Sequence, residues 1–222
     1  MKVRLISYSQ ATLDDKLSLE NDAQDLIAYC ARVSNPDNQS NSATSKKLIK
    51  YLIKHKHWSP LEMVSACLEI ETTRDIARQI LRHRSFSFQE FSQRYADPTK
   101  ELEFVTREAR LQDEKNRQGS IEVDDKFFQI KWEQAQKRVL WAVEREYKWA
   151  IKNGIAKEQA RAILPEGLTM SRMYMNGTLR SWVHYIELRS ANGTQKEHME
   201  IAKECAVQIA RIFPLIGELD ND

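Results

Sequence analysis

The order of apolar and polar residues predicts a strand, a helix, a loop and a second helix in the first quarter of the chain. Residues 3–9 alternate in hydrophobicity, as a half-buried strand does, and residues 21–33 carry apolar side chains at helical spacing after Asn21, a suitable N-cap residue. Residues 34–45 are polar and rich in turn-forming residues, which indicates an exposed loop. A lysine-rich helix then ends near Lys56.

The middle of the chain adds one strand and two helices. Residues 63–71 alternate in hydrophobicity, and Thr73 can cap a helix over residues 74–83. After a charged and irregular stretch at residues 111–125, six side chains close to one helical stripe indicate a long helix that Gly154 can end. These six are Phe128, Trp132, Ala135, Val139, Ala142 and Ala150. We interpret this helix as scaffold.

Two further helices are predicted at residues 176–189 and 195–213, with Asn192 and Gly193 as the break between them. The chain contains neither an internal repeat nor a low-complexity linker, and 222 residues suffice for one sizeable core. We therefore predict an α+β fold, in which residues 1–222 form a helix-rich single domain with a small, mostly antiparallel sheet.

Composition limits the partners of this protein. Its 34 basic and 32 acidic residues leave a net charge of +2, so no overall field attracts nucleic acid or an anionic membrane. The apolar stretches are far shorter than the roughly 20 residues that cross a bilayer. The first residues also lack the apolar core of a signal peptide. We expect a cytoplasmic protein in which any anion site is local.

The cysteines do not predict a disulfide or a metal site. Cys30, Cys67 and Cys205 are odd in number, widely spaced and outside any C-x-x-C pair. His55 and His57 lack a third ligand at a helpful spacing. We therefore predict buried free thiols and no metal.

The densest chemistry lies in residues 82–94, RHRSFSFQEFSQR. Three arginines, one histidine, one carboxylate and the Ser92 hydroxyl give charge-assisted donors for an anion and one nucleophile-like group. A solvated basic helix end is the alternative for an isolated R-H-R run. The residues that follow this run favour a binding site.

Spacing predicts which of these side chains converge. Gln79 and Arg82 are three residues apart on the preceding helix, so an amide and a guanidinium share one face. If the next segment is extended, Glu90, Ser92 and Arg94 point to the same side, because side chains on a strand repeat every two residues. Together these groups can line one surface.

Residues 57–62, HWSPLE, form a second candidate group. Trp58 can stack on a planar ring, Ser59 can donate to a phosphate, and His57 can exchange hydrogen bonds with a ligand near neutral pH. Ser59, followed by a proline and then by Glu62, is also typical of a capping-box helix start. Taken alone, this segment favours the helix start over a ligand site.

A third group comprises Arg161 and the predicted helix over residues 176–189. Arg180 and His184 are four residues apart and share a helical face, whereas Arg189 lies nine residues beyond Arg180, about 180° around the helix. These arginines are either solvated or held by an anion. The neighbouring aromatic and aliphatic residues leave little polar face, which favours partial burial of at least one arginine.

Four segments in order resemble the flavin-dependent thymidylate synthase family. They are HWSPLE, QILRHRSFSFQEFSQRY with its RHR-x7-S signature, ARAILP and NGTLRSWVHYIELR. The resemblance implies a methyltransferase that converts dUMP to dTMP, with 5,10-methylenetetrahydrofolate as one-carbon donor and NADPH-reduced FAD as hydride source, releasing tetrahydrofolate. It also implies a homotetramer of α+β subunits with active sites between protomers.

The resemblance assigns individual residues to each ligand. Those matching FAD contacts are Ser59, Arg82, His83, Arg84, Glu90, Arg180, His184 and Thr178, with Asn176 as the alternative to Thr178. Those matching nucleotide contacts are Gln79, Arg82, Glu90, Phe91, Ser92, Gln93, Arg94, Arg161 and Arg189. Within this set, Phe91 and Gln93 contribute backbone around the phosphate.

Arg189 is the catalytic residue that the resemblance implies. A fixed cation beside the uracil ring favours its ionisation and makes carbon 5 more nucleophilic. Ser92 has no evident general base beside it, so the resemblance assigns it a binding role. None of the cysteines falls in a matching segment, which fits transfer driven by reduced flavin.

Two other classes remain as alternatives. A nucleic-acid or nucleotide-binding module would place Arg78, Arg82, Arg84 and Arg94 on phosphates, with Trp58 or Phe86 stacking on bases. The near-zero net charge counts against it. An inactive structural homologue would keep the fold without turnover.

Overall fold

The computed structural model describes residues 1–12 and 23–221 of the chain. Within them, six strands form: β1 (Lys2–Tyr8), β2 (Ser65–Thr73), β3 (Ser87–Glu90), β4 (Arg110–Gln112), β5 (Ser120–Glu122) and β6 (Met170–Thr178). The α-helices are α1 (Ala23–Ala31), α2 (Ser45–Lys54), α3 (Arg74–Ile80), α4 (Pro98–Glu101), α5 (Lys126–Lys152), α6 (Lys157–Ala160), α7 (Leu179–Ser190) and α8 (Lys196–Ala210). Short 3-10 helices lie at Pro36–Asn38, Ser42–Thr44, Ser59–Met63, Arg161–Ile163 and Pro214–Asn221.

Four strands form an antiparallel sheet in the order β1, β2, β6, β3. The two central strands alternate buried and exposed residues in register, because Leu68 of β2 faces Met175 of β6 and Ile70 faces Met173. A second, two-stranded sheet pairs β4 with β5. The predicted combination of many helices with a small antiparallel sheet is therefore confirmed.

The main core lies between the buried face of the large sheet and the helices α7 and α8. Trp182 and Tyr185 of α7 are fully buried, and the Trp182 indole Nε1 donates to the Ala66 carbonyl of β2 at 3.0 Å. Helix α8 adds Ile201 and Ile209 to the same core. Since β2 and β6 are fixed by this packing, the segments that leave their ends are fixed as well.

Several predicted elements agree with the structure. The strands at residues 3–9 and 63–71 correspond to β1 and β2, and the lysine-rich helix corresponds to α2. Helix α1 begins at Ala23, and its predicted cap, Asn21, lies outside the described residues. Gly154 follows α5 with a φ of 78°, in the left-handed region that ends helices.

Two predicted helix caps lack their side-chain bonds, although Thr73 does occupy the N-cap position of α3. The Thr73 hydroxyl makes no capping bond to α3, since its oxygen accepts from the Arg107 guanidinium at 2.6 Å and its proton goes to the Asp75 carboxylate at 2.6 Å. Ser59 is the first residue of its 3-10 helix, and no side-chain cap is present there. In the first case a charged donor, the Arg107 guanidinium, bonds to the oxygen that would otherwise accept from the helix backbone.

Three further interpretations need correction. The stripe on α5 is largely exposed, with Phe128, Trp132 and Val139 at 42%, 45% and 49% of full exposure, so it does not pack into the core. Residues 111–125, expected to be irregular, contribute to the β4–β5 hairpin. Residues 176–178, expected to begin a helix, complete β6.

Helix α5 is held mainly at its C-terminal half. Tyr147 and Ala150 of α5 pack with Ala160 and Leu164 in a small separate core. Nearer its start, the helix is linked to the chain by Gln129 and Gln136, whose amides bond to backbone groups of residues 107–109. No helix in the described part of the chain is long and apolar enough to cross a membrane.

Candidate active site

The R-H-R run lies in the turn that follows α3. The backbone N–H of His83 donates to the Ile80 carbonyl at 3.0 Å, which closes the last turn of the helix. Arg82 and Arg84 are exposed, and neither has an ion-pair partner among residues 1–12 and 23–221. The turn therefore presents two unpaired guanidinium groups, which suit the phosphates of a nucleotide.

A buried ring anchors this turn to the core. Phe86 packs against Trp182 with ring centroids 4.8 Å apart and lies over Gly177 of β6. A Cβ added at Gly177 would come within 2.4 Å of the Phe86 ring. The close approach of strand and ring thus depends on a glycine at this position.

His83, in the turn after α3, is bonded to Arg189 of α7. The Arg189 Nε donates to His83 Nε2 at 2.9 Å. A guanidinium can only donate, so His83 Nε2 carries no proton. Burial first, and then the charges of Arg189 and Arg82, lower the pKa of His83 from its ordinary value. The neutral imidazole thereby orients the Arg189 side chain.

Beneath this pair runs a chain of polar side chains. The Tyr185 hydroxyl lies 3.2 Å from His198 Nε2, and His198 Nδ1 lies 3.2 Å from the Gln79 Oε1. The Gln79 Nε2 donates to Gln195 Oε1 at 2.8 Å. Gln195 in turn donates to Glu197 at 2.9 Å. Glu197 also forms an ion pair with Arg110 of β4, so the chain ends at a neutralised carboxylate.

The 3-10 helix at residues 59–63 meets the first turns of α7. Trp58 packs edge-on against His184 with ring centroids 4.5 Å apart. Arg180, one turn before His184, forms an ion pair with Glu62. The predicted shared face of Arg180 and His184 is confirmed, because both side chains contact this one segment.

Glu90 is the last residue of β3, the edge strand that pairs with β6. Its Oε1 accepts a hydrogen bond from the Ser171 hydroxyl at 2.8 Å and lies 3.4 Å from the Arg74 guanidinium. The strand ends at Glu90, and residues 93–95 form a turn. The alternation predicted that Glu90, Ser92 and Arg94 lie along one extended strand, and this prediction is wrong. The turn brings the Arg94 side chain to α6 instead.

Arg94 and Arg161 meet at Glu158. The Arg94 guanidinium lies 3.2 Å from the Glu158 carboxylate, and the Arg161 Nε lies 3.3 Å from the Glu158 carbonyl oxygen. Both arginines are exposed. Their guanidinium groups gather at an edge of the molecule, and no hydrogen bond in the described part of the chain links this edge to the Arg189 pair.

The remaining predicted residues differ in their contacts and in their burial. Thr178 caps α7, since its hydroxyl accepts from the Ser181 N–H at 3.3 Å. The Phe91 N–H donates to the Arg172 carbonyl at 2.8 Å, which leaves its backbone as part of the sheet edge. Gln93 is buried, while Ser59 and Ser92 are exposed and free to meet a ligand.

Sequence reasoning missed the supporting residues of the site. Tyr185, Gln195 and Glu197 join the polar chain, and Ser171 and Arg74 hold Glu90. Their partners lie 13 to 116 residues away in sequence, except for Gln195 and Glu197, which are two residues apart. The signal available was the Gln195–His198 spacing at the start of a helix, which places both on one face.

Comparison with known proteins adds the family context. A family model described as thymidylate synthase complementing protein matches residues 16–215. A probable flavin-dependent thymidylate synthase of Paramecium bursaria Chlorella virus 1 is 46% identical over 218 residues, which cover 98% of each chain. A flavin-dependent thymidylate synthase of Synechocystis is 47% identical over 220 residues, again with 98% of each chain covered.

A solved structure has the same fold. The UMP/dUMP methylase PolB from Streptomyces cacaoi, bound with 5-Br dUMP, matches with a TM-score of 0.80. The match covers 98% of this chain and 93% of PolB at 23% identity. At this level of identity the likeness is one of fold, and it extends over nearly the whole chain.

Proposed function

Because the chain belongs to the flavin-dependent thymidylate synthase family, we propose that it methylates dUMP to dTMP. The one-carbon donor is 5,10-methylenetetrahydrofolate, the reductant is NADPH acting through FAD, and tetrahydrofolate is released. The observation that carries this proposal is identity of 46% and 47% to two such enzymes over 98% of each chain. The chemistry of the donor set is consistent with it.

The residues present fit a flavin dinucleotide. Arg82 and Arg84 offer unpaired guanidinium groups for its phosphates. Ser59 and the Trp58–His184 ring pair lie where the 3-10 helix at residues 59–63 meets α7. FAD, when bound, supplies the hydride that reduces the transferred one-carbon unit to a methyl group. The residues proposed to hold it are Ser59, Arg82, His83, Arg84, Glu90, Thr178, Arg180 and His184.

Thr178 and Arg180 already have partners within the chain, and these partners restrict how each could bind FAD. The Thr178 hydroxyl accepts from the helix backbone, which leaves its proton available for a ligand or for Ser181. Arg180 is held by Glu62, so a phosphate would compete with that carboxylate for its guanidinium. Ion pairs between partly exposed side chains are weak, which makes this exchange feasible.

Guanidinium and amide groups supply the nucleotide site. We propose that Gln79, Arg82, Glu90, Phe91, Ser92, Gln93, Arg94, Arg161 and Arg189 bind dUMP, with Phe91 and Gln93 acting through their backbone. The exposed pair of Arg94 and Arg161 suits a phosphate dianion. Glu90, fixed by Ser171 and Arg74, provides an acceptor with a set direction.

Arg189 acts on the pyrimidine ring. Its Nε is occupied by His83, and no hydrogen bond engages its two terminal nitrogens within the described residues. A cation held in this way stabilises negative charge as it develops on the ring, without reorganising during the reaction. His83 thus serves as the support that keeps the charge in position.

The same reasoning favours a homotetramer with shared active sites. The Arg94–Arg161 edge and the Arg189 pair are separate groups within one chain. The exposed aromatic side chains of α5 offer an apolar face for a second copy, with Trp141 66% and Trp149 57% exposed. We also propose that the whole chain forms one domain of a cytoplasmic enzyme that binds neither nucleic acid nor membrane.

A flavin titration with and without dUMP tests this function. We expect the purified protein to bind FAD with a flavin absorption spectrum that changes on addition of dUMP. With NADPH and methylenetetrahydrofolate present, dTMP should form. Arg189→Ala should retain FAD and lose dTMP formation by about a hundredfold or more, as for loss of one charge-stabilising group. Arg211→Ala, an exposed arginine at the end of α8, serves as control.

The outcomes separate the alternatives. Protein that stays colourless after addition of FAD would contradict the proposed enzymatic function. A flavin spectrum without turnover would indicate an inactive homologue, and full turnover by Arg189→Ala would refute the catalytic assignment. Salt-dependent binding of oligonucleotides in place of dUMP would favour the nucleic-acid module.

A further inference from the structure

A carboxylate sets the direction of every hydrogen bond in the polar chain beneath Arg189. Glu197, ion-paired with Arg110, can only accept, so the Gln195 side chain must turn its Nε2 toward it. The Gln195 oxygen then faces Gln79 and accepts from the Gln79 Nε2. An amide has an acceptor at one end and donors at the other, so the direction passes from each residue to the next.

The direction continues through His198 to Tyr185. Since the Gln79 Nε2 faces Gln195, the Gln79 oxygen faces His198 Nδ1 at 3.2 Å and needs a donor there. His198 Nδ1 therefore bears the proton, and His198 Nε2 accepts from the Tyr185 hydroxyl at 3.2 Å. The arrangement requires one particular tautomer of a neutral imidazole.

The surroundings of His198 keep that imidazole neutral. The side chain is fully buried at the first turn of α8. Burial, followed by the charges of Arg189 and His83, lowers its pKa to about 3. A buried group in two hydrogen bonds has no room for a third partner, so His198 has no contact left for a ligand.

The Gln79 carboxamide can still donate one hydrogen bond and accept one. It has two N–H groups and two oxygen lone pairs, of which Gln195 and His198 use one each. Gln79 itself is only half buried. What remains is one donor and one acceptor in a fixed order, available to a ligand at the end of α3.

We propose that His198, which holds the Gln79 oxygen while Gln195 holds the Gln79 Nε2, is a positioning residue that keeps the Gln79 carboxamide in one rotation, so that the amide distinguishes a uracil from a cytosine ring. This inference rests on the proposed function, in which Gln79 contacts the nucleotide. Uracil presents an N3–H donor beside carbonyl acceptors, whereas cytosine presents an N3 acceptor beside an amino donor. An amide locked in one orientation matches one order, and a rotated amide matches the other.

Substitutions at His198 test the role through substrate preference. The affinity for dUMP and for dCMP is measured for each variant by titration of the flavin-bound protein. In His198→Leu the Gln79 oxygen loses its donor and only the bond to Gln195 still holds the carboxamide, so we expect the ratio of dUMP to dCMP affinity to fall by about tenfold or more, as for one mispaired buried group. His198→Asn keeps a donor at the Nδ1 position and should preserve most of the ratio.

Two further variants complete the series. Glu197→Gln replaces the carboxylate by a group that can donate or accept, so it should reduce the ratio with little change in shape. Ile201→Val removes a buried methyl group from the same helix without touching the polar chain, and the ratio should stay at its wild-type value. If His198→Leu does not fold, Glu197→Gln still tests the inference.

A second measurement does not depend on substrate. Nitrogen-15 spectra of the histidines should show His198 neutral with its proton on Nδ1; a proton on Nε2 would overturn the inference. So would an unchanged affinity ratio in both His198→Leu and Glu197→Gln in an enzyme that otherwise works. Wild-type protein that binds neither FAD nor dUMP would instead refute the proposed function and leave the tautomer as the deciding test.

Discussion

His198 couples the stability of the protein to pH. Its pKa is about 3 in the folded protein, against an ordinary value of 6.5 that applies when the chain unfolds. The folded state is thus the poorer binder of a proton between these values. The stabilising effect of keeping this histidine neutral is fully present above pH 6.5 and is lost as pH falls toward 3.

We expect the free energy of unfolding to fall by about 2 kcal/mol from this residue alone between pH 7 and pH 5, at about 1.4 kcal/mol per pH unit below 6.5. His83, whose pKa is also lowered, contributes in the same direction. Urea denaturation of the wild type and of His198→Asn at both pH values measures the difference. Parallel pH dependence in the two proteins would contradict the assigned pKa.

At the scale of single residues, the sequence indicates the proposed ligand-binding residues better than the residues that hold them in place. His83 and Arg189 belong to motifs that are dense in charge, and the fold brings them to 2.9 Å. The bond between Gln79 and His198 joins residues 119 positions apart and follows from packing of α8 against the sheet. Neither spacing nor composition signals such a contact.

The turn that holds Arg82 to Arg84 depends on the strand beneath it. Strand β6 approaches Phe86 so closely that a Cβ at Gly177 would lie 2.4 Å from the ring. Phe86 is buried against Trp182, so it cannot move without disturbing the core. The strand and the turn are therefore one structural unit.

Gly177→Ala should lower the free energy of unfolding by about 1 to 3 kcal/mol, because overpacking a core displaces its neighbours. FAD affinity should fall as well, since the displaced ring carries the arginine turn. Thermal unfolding and flavin titration measure both effects. Gly217→Ala, with no atom within 4 Å of the added Cβ, is the matched control. Equal stability of the two variants would refute the steric argument.

Element prediction failed where a pattern was mixed. In β6, Ser171, Met173 and Met175 face the core while Arg172 and Tyr174 face outward. A serine among the buried positions and a tyrosine among the exposed ones conceal the alternation. By contrast, Ala66, Leu68 and Ile70 of β2 are all apolar and occupy alternate buried positions, so their pattern predicts a strand directly.

On the scale of the whole molecule, helix α5 is the element least explained by one chain. It is 27 residues long, and its apolar stripe is exposed along much of its length. A stripe of this kind at helical spacing normally indicates a buried face. The periodicity predicted the helix, but periodicity alone does not say whether a stripe packs into the core of its own chain, and here most of it is exposed.

Trp141→Lys should weaken the proposed tetramer, because it places a charge on the exposed aromatic face. We expect light scattering after size-exclusion chromatography to give a smaller mass, with turnover reduced in proportion to the tetramer lost. Val33→Lys makes the same change at another exposed apolar residue and serves as control. A tetramer that survives Trp141→Lys with its mass unchanged would place the interface elsewhere.

The pairing of β2 with β6 also governs when the site can come into being. It joins residues 65–73 to residues 170–178, and the polar chain adds α8, beyond residue 195. Closing loops of this length costs entropy before any contact is gained, which slows folding. During synthesis, more than a hundred residues must be added after Gln79 before His198 exists and can bond to it. The nascent chain therefore carries its arginine turn long before it has a working site.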